Sequence, residues 1–449
     1  MKSLRCLVPA LLVGAVLVPS PAPAQQSPPR DTLRLDDAIQ RALEDNRQAR
    51  IARRKTDIAE NNVSLGNAGF LPTLSGEATY SETISNSEQV FLSGETQSTD
   101  GATSTQVGAG ADARWTVFDG LRPFATYDRL GAERDRQAAA TEEQVETLVA
   151  DVVEGYYDVA RQQQQLAVLR EAVAISRERL RIVELRRDLG SASDLEVRQA
   201  RVDLNADSTE ALRQRVALAN AKNQLNQLLA RPDAAPRYAV ASTIEVDTSL
   251  QYASTQQTAL QESPALTQAR EALRAARAEQ RELRADFFPT VDLTAGLNYS
   301  RLNAESGFVQ ENTSTEFAYG VSLSLDLFDG LNRWRRTQNA DIRTTNARLA
   351  VEDVRSRLVT ELTNAYERYR SRLRLVGLER QNLEAVRANV DVALEQFEQG
   401  TITSVELREV QEQFIQAESR LLTVRFEAKQ AEVELLRLSG QLLGRYGGE

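Results

Sequence analysis

The chain of 449 residues contains no histidine, one cysteine and one methionine, and the last two, Cys6 and Met1, fall within the first six positions. A Ser-His-Asp triad, a histidine-ligated zinc or iron site and a thiolate centre are therefore excluded from everything downstream. Lysine is nearly absent as well, with 4 residues against 50 arginines. The net charge is −10, so there is no basic footprint for nucleic acid. Beyond the N-terminal segment no apolar run approaches the ~20 residues of a membrane-spanning helix. Carboxylate chemistry survives these tests, but there is no P-loop, no glycine-rich loop after a buried strand and no metal-ligand spacing. No catalytic, cofactor-binding or metal-binding residue is expected, and an enzyme is not the expected class.

Residues 1–24 read as a signal peptide. Lys2 and Arg5 precede a 12-residue run from Leu7 to Val18 that is apolar apart from Pro9 and Gly14. Ala22 and Ala24 then place small residues where a signal peptidase reads them. Cleavage there leaves no cysteine, and the loss of Lys2 and Arg5 takes the net charge from −10 to −12. The expected product is an exported protein without disulfides.

What the sequence does contain is a repeat. Val117-Phe118-Asp119-Gly120-Leu121 recurs as Leu327-Phe328-Asp329-Gly330-Leu331, 210 residues later. Tyr156 and Tyr366 keep that offset, as do Leu189-Gly190-Ser191 and Gln399-Gly400-Thr401. Upstream, Phe70-Leu71-Pro72 answers Phe287-Phe288-Pro289, with the prolines 217 apart. The two offsets imply a net insertion of seven residues in the first copy, between Pro72 and Val117. The expected units are 25–231 and 256–439, joined by a linker at 232–255 centred on Pro232-Asp233-Ala234-Ala235-Pro236. A glycine-rich tail at 440–449 is expected to be partly frayed.

Each copy reads as helix, strand, loop, strand, long helix, turn, long helix. Asp36 to Gly66 is expected to be helical, stopped by Pro72. In residues 107–117, Val107, Ala109, Ala111, Ala113, Trp115 and Val117 share one face, and small or polar residues share the other. Val291 to Tyr299 and Phe317 to Leu327 alternate in the same way. Such strands fit a half-buried antiparallel sheet, or a membrane strand with lipid outside and water inside. Ser81 to Gln106 and Asn303 to Ser314 are polar and read as external loops. Leu121 to Leu189 and Leu331 to Gln399 are each 69 residues long, roughly 100 Å as helix. Gly190 and Gly400 mark the reversals. The return helix of copy two carries a 3-4 seam through Leu407, Val410, Phe414, Ala417, Leu421, Val424, Ala428, Ala431, Leu435, Leu438 and Leu442, the pattern of a coiled coil. A periplasmic coiled-coil scaffold explains the seam but leaves the four alternating strands without a purpose.

Taken together, the two-copy order, the junctions at Pro72 and Pro289, the Phe-Asp-Gly junctions at Phe118–Gly120 and Phe328–Gly330, and the turns at Gly190 and Gly400 resemble the TolC family of outer-membrane efflux ducts. The resemblance spans essentially the whole mature chain. It implies an α+β membrane protein, a homotrimer whose 12-stranded outer-membrane barrel (four strands per chain) continues as a periplasmic α-helical coiled-coil barrel. It further implies a passive duct for efflux or type I secretion. Its expected partners are outer-membrane lipid, a periplasmic adaptor and an inner-membrane transporter of RND, ABC or MFS type. Closure independently asks for more than one chain, because four strands cannot seal a barrel and open edges are not tolerated in lipid.

Glu406 and Glu409 are i and i+3 on one helix face just past Gly400. Read from the residues alone, they are a solvated pair near a helix N-terminus, favoured by the helix dipole. In the resembling family, acidic residues at these two positions ring the closed periplasmic mouth. The copy-one equivalents are Glu196 and Gln199, so Glu196 joins the expected gate. Ile402 stands where an arginine occurs in the family, so the latch is expected to differ in detail. The adaptor is expected to contact Leu189, Gly190, Ser191, Gln399, Gly400 and Thr401.

Overall fold

Gly120 and Gly330 each follow a strand and precede a very long helix. In the computed structural model, which describes residues 32–232 and 238–446, both adopt the left-handed region (φ 71° and 68°), and so do the next residues, Leu121 and Leu331 (φ 67° and 66°). Two successive left-handed residues swing the chain from sheet into helix. Glycine does this without strain, whereas leucine does it at a cost of about 1–2 kcal/mol. Helix α3 (Arg122–Asp188, 67 residues) and helix α7 (Asn332–Gln399, 68 residues) follow. Neither Gly131 nor Gly155 interrupts α3. At Gly190 and Gly400 (φ 76° and 79°) the chain reverses into α4 (Asp194–Leu228) and α8 (Ser404–Leu438), 35 residues each. The leader 1–24 lies outside the described residues, as does most of the Pro232–Pro236 boundary.

The expected helix over Asp36–Gly66 is two helices, α1 (Leu35–Asp45) and α2 (Arg47–Asn62). Asn46 leaves helical geometry, and its carboxamide oxygen accepts from the N–H groups of Gln48 (2.8 Å) and Ala49 (3.2 Å). Its amide nitrogen donates to the Leu228 carbonyl at 2.9 Å, which ties the break to the end of α4. The second stop is at Val63, well short of Pro72. A break recurs 217 residues on, where Ser263 separates α5 (Tyr252–Glu262) from α6 (Pro264–Ala285) without a side-chain cap bond and with Pro264 opening the second helix.

These helices form one layer. α3 is flanked on one side by α2 above and α4 below, and on the other by α6 above and α8 below; α7 packs beyond α6 and α8. The seam of α8 is buried as its spacing requires, with Leu407, Phe414, Ala417, Leu421, Ala428, Leu435 and Leu438 inside. A second stripe of α8 is buried too, on the side of α3: Gln411, Leu422, Lys429, Glu432, Val433 and Leu436, while the buried Glu418 pairs with Arg387 of α7. Its charged members pair, Lys429 with Glu432 at 2.8 Å. An apolar-only pattern passes over this stripe because half of it is polar.

At mid-height the segments between and after the long hairpins wrap the layer. Strand β1 (Thr32–Leu33) pairs in parallel with β4 (Ala239–Val240). The buried Tyr156 hydroxyl joins them, donating to the Leu33 carbonyl (3.0 Å) and accepting from Ala241 N–H (3.1 Å). Its repeat partner Tyr366 is only half-buried, and Tyr369 donates to the Asp247 carbonyl instead. The tail is not frayed through residue 446, because α9 (Leu442–Tyr446) docks with Leu442 fully buried.

Pro72 and Pro289 sit immediately before strands β2 (Thr73–Val90) and β5 (Thr290–Ala304), where a missing N–H costs no ladder bond. With β3 (Thr96–Asp119) and β6 (Glu311–Ser324) they form one antiparallel sheet in the order β2-β3-β5-β6. The segment Ser81–Gln106 is mostly not a loop: the ladder runs on to Val90↔Thr96. β6 stops at Ser324, so Leu325 and Leu327 fall after the strand. Among the described residues nothing covers the apolar face; Leu74, Tyr319, Val321 and Leu323 are all more than two-thirds exposed. The opposite face is tight. A β-carbon on Gly110 would lie 2.2 Å from Asn298 Oδ1, and one on Gly296 would lie 2.6 Å from Asp112 Oδ1.

In the middle of α3, Glu146 is 1% exposed and its Oε1 has no hydrogen-bond partner. Burial, reinforced by Glu142 and offset in part by Arg437, pushes its carboxyl up to about 7. A folded value above the ordinary carboxylate value means that the folded state holds the proton more tightly. The stability penalty is therefore absent below about pH 4.5 and grows as pH rises to about 7. Glu146→Gln should raise stability by about 1–3 kcal/mol at pH 8 and leave it unchanged at pH 4. Thermal unfolding in detergent at the two pH values checks this, and an equal gain at both would assign the effect to packing.

Candidate functional site at the helix turns

The two lower turns are built alike. After α3, the N–H groups of Gly190 and Ser191 donate to the carbonyls of Arg187 (2.9 Å) and Arg186 (2.8 Å); after α7, those of Gly400 and Thr401 donate to Phe397 (3.1 Å) and Gln396 (2.9 Å). Ser191 and Thr401 hydroxyls add a bond each, at 3.0 Å, to the same Arg186 and Gln396 carbonyls. These are left-handed helix stops, which is why glycine stands at both. Leu189 is 75% exposed at the first turn, and Leu195 and Val405 are each 71% exposed beside it and its counterpart.

Both return helices start with a reciprocal capping box. Ser193 Oγ accepts from Glu196 N–H (3.3 Å), and Glu196 Oε2 accepts from Ser193 N–H (2.7 Å). Thr403 and Glu406 repeat the pair at 3.2 and 2.7 Å. Glu406 is exposed, yet its Oε2 is occupied. The Thr403 N–H and then the Thr403 hydroxyl hold its carboxyl below the usual range. Glu196 has the same duty. Glu409 is exposed on the same face as Glu406 and takes no part in the cap. At the copy-one position Gln199 donates to Asp203 at 3.0 Å.

What holds the two hairpins together lies just above, in residues that sequence reading did not single out. Asp207 of α4 is buried and accepts from Arg408 of α8 (2.7 Å), from Ser176 of α3 (2.5 Å) and, at 3.4 Å, from Gln411. Gln411 also donates to the Ala172 carbonyl at 2.9 Å. Arg179 of α3, 1% exposed, pairs with Asp203 of α4 and donates to the Ser404 carbonyl at the start of α8 (3.3 Å). Arg186 donates to the Phe397 carbonyl and stacks over that ring, 4.6 Å from its centre. Ile402 packs into an apolar cluster with Phe397, Leu407 and Val197. The arginines that join the two hairpins at this end therefore come from α3 and α8, and position 402 contributes packing. The available signal was a buried-helix spacing, Arg179, Val183 and Arg186 on one face, which an apolar search discards.

A four-stranded sheet bare on both faces, set on a layer of very long helices, is an unusual arrangement. The outer membrane efflux protein family matches it over residues 38–231 and 255–441, both hairpins and both strand pairs included. The chain belongs to this family. The cation efflux system protein CusC of Escherichia coli (strain K12) is 23% identical over 409 residues, covering 90% of this chain and 85% of that protein. The alkaline protease secretion protein AprF of Pseudomonas aeruginosa is 22% identical over 420 residues, covering 91% and 85%. Among solved structures, the Campylobacter jejuni CmeC outer membrane channel superposes with a TM-score of 0.75 at 16% identity, over 91% of this chain and 85% of that one. This outer membrane efflux protein is thus an outer-membrane channel component of efflux or secretion systems, with its helical part in the periplasm. Members of the family are channels rather than enzymes.

Proposed function

We propose that three copies close head to tail into one passive duct from periplasm to exterior. The observation that carries this is the state of the two edges. The sheet ends in unpaired β2 and β6. The helix layer ends in α2 and α4 on one side, with Ile51, Ile58, Val202 and Leu212 exposed, and in α7 on the other, with Ile342, Leu349, Leu378 and Val392 exposed. One edge of each copy can meet the opposite edge of the next, and a head-to-tail contact that closes gives a ring. Three copies bring 12 strands, which would place the apolar residues in lipid and Asp292, Thr294 and Asn298 in the lumen.

Duplication of the chain is part of this reading. Asn46 and Ser263, and Thr73 and Thr290, are 217 apart; Leu121 and Leu331, Ser193 and Thr403, and Leu228 and Leu438 are 210 apart. The seven extra residues of copy one fall in its longer hairpin, β2–β3. The belt of β1, β4 and α9 supports a linker unit around 232–255.

The exposed Leu189, Leu195 and Val405 make the lower turns the surface for the adaptor, with Gln399, Gly400 and Thr401 beside them. Glu406, Glu409 and Glu196 would line the mouth. The sequence has no P-loop, and in this reading energy comes from an inner-membrane transporter of RND, ABC or MFS type. That pump also sets the cargo, since relatives named for cations and for a protease are about equally distant. Light scattering in detergent should give the mass of three chains, dissociating on heating, and extraction without detergent should leave the protein in the outer membrane. A monodisperse folded monomer overturns the trimer, and release without detergent returns the scaffold reading.

A further inference from the structure

At mid-height the layer has a joint on each side of α3, where an upper helix begins beside the end of a lower one. On the copy-one side Asn46 bridges the joint, its amide donating to the Leu228 carbonyl at 2.9 Å. On the copy-two side α8 ends at Leu438, α6 begins at Pro264, and Ser263 makes no side-chain cap bond. A cavity of about 370 Å³ lies at this second joint, lined by residues of α3, α6, α7 and α8 and by Ser263. It lies within one chain, so it is independent of the duct reading. Val354, Leu358, Pro264 and Leu438 supply apolar walls. Glu146, 1% exposed, is the most deeply buried of its carboxylates, Glu143 is half-buried, and Glu361 is exposed.

The charges of this cavity do not balance. Its two guanidiniums are already engaged by carboxylates outside the lining, Arg357 by Asp353 (2.7 Å) and Arg437 by Glu434 (2.9 and 3.0 Å). Glu143 accepts from the neutral Gln268 at 2.5 Å. Glu146 and Glu361 have no ion pair among the described residues, and Glu146 Oε1 has no hydrogen-bond partner. A buried carboxylate oxygen without a donor is costly, and a cation that brings N–H groups removes the cost. Among the described residues no three acidic side chains are close enough to share a metal ion, which points to separate seats and not to one coordination centre. Two carboxylates at different depths with apolar wall between them match a chain of methylenes carrying an ammonium at each end.

We propose that this cavity binds an aliphatic diamine, with one ammonium on Glu146 and the other on Glu361. The charged groups facing Glu146 are Glu142 and Glu143 of α3, Arg437 of α8, and Arg357 and Glu361 of α7; α6 contributes only Pro264 and Ala265 to the lining. Burial, reinforced by Glu142, raises the Glu146 carboxyl to about 7, so at neutral pH part of the protein holds a proton there, and an arriving ammonium displaces it to solvent. Binding should therefore release protons at pH 7 and tighten from pH 6 to pH 8, over which an alkylammonium stays charged. The test is isothermal titration calorimetry on the purified full chain in detergent, in two buffers of different ionisation heat. The probes are butane-1,4-diamine, butylamine and butane-1,4-diol. The diamine should bind, butylamine about tenfold or more weakly, and the diol not at all. E146Q, which removes a buried charge and keeps the fold, should weaken the diamine about tenfold or more, and E361Q, at an exposed position, should reduce it to the level of butylamine. E146Q binding as tightly as the parent, or binding without proton release, overturns the seat on Glu146. Unchanged diamine affinity in E361Q overturns the second seat and with it the diamine assignment. Equal binding of the diol makes this an apolar hollow, and displacement of the diamine by an equal concentration of magnesium makes it diffuse charge attraction; either result overturns the proposal.

Discussion

Phe317→Arg should abolish the assembled channel, while Glu316→Arg, one residue away, should leave assembly intact and change ion selectivity. The register supplies the argument. Trp115 sits at the foot of the apolar face, and Val107, paired with Tyr80, sits eight residues above it. That is about 26 Å along the strand and about 20 Å of height at an ordinary strand tilt, close to the apolar band of an outer-membrane barrel. Half-way lies Ala111, which pairs with Leu297, which pairs with Phe317. An arginine on the lipid face at this depth costs about 2–4 kcal/mol in each copy, and a symmetric ring carries it in every copy. Glu316 points to the other face, where water solvates either charge. Leu323, the obvious choice when only alternation is known, pairs with Val291, which pairs with Phe118 below Trp115. Leu323→Arg should therefore cost only about 0–1 kcal/mol. Heat-resistant trimer in outer-membrane fractions is the readout, and equal yields for Phe317→Arg and Glu316→Arg would remove the lipid-facing assignment.

The contrast between Phe317 and Leu323 shows what kind of information the sequence carried. Alternation identified the strands and which residues share a face, because a period of two is imposed by the pleat itself. It could not give height in the membrane, because height depends on which residue pairs with which across strands far apart in sequence. The helices behave alike. Gly190, Gly400, Gly120 and Gly330 were legible because a left-handed backbone favours glycine. The break at Asn46 was not, because its cap is completed by Leu228, 182 residues away. The α8 seam facing α7 was legible as a heptad. The stripe facing α3 was hidden, since Gln411 is buried through the Ala172 carbonyl and Asp207 on other helices, and Lys429 and Glu432 through each other. The lower site divides in the same way. Glu406 and Glu409 were found by position, but their different duties depend on Thr403. The Arg408–Asp207 contact, between residues 201 apart, left no local trace.

Asp207→Ala should loosen the lower hairpins and raise single-channel conductance, without loss of trimer. Asp207 is 7% exposed and is the point where α4, α3 and α8 meet. Removing it leaves Arg408, Ser176 and Gln411 short of an acceptor in a buried place. Breaking such a pair costs about 3–5 kcal/mol, and the low end applies here because Arg408 keeps Glu412 at 2.8 Å. The barrel strands are remote from this contact, so assembly should persist. The two glutamates below should then separate by role. Glu406 has one carboxylate oxygen committed to its cap, so Glu406→Ala should chiefly destabilise the start of α8. Glu409 takes no part in the cap, and in a ring of three it sets like charges around one axis, an arrangement that attracts cations. Glu409→Ala should remove most of the block that divalent cations impose from the periplasmic side of a planar bilayer. A parent that divalent cations do not block, or a Glu409→Ala channel blocked as strongly as the parent, makes Glu409 a solvated helix carboxylate. Unchanged conductance in Asp207→Ala would mean that Arg179 and its contacts to Asp203 and the Ser404 carbonyl hold the hairpins on their own.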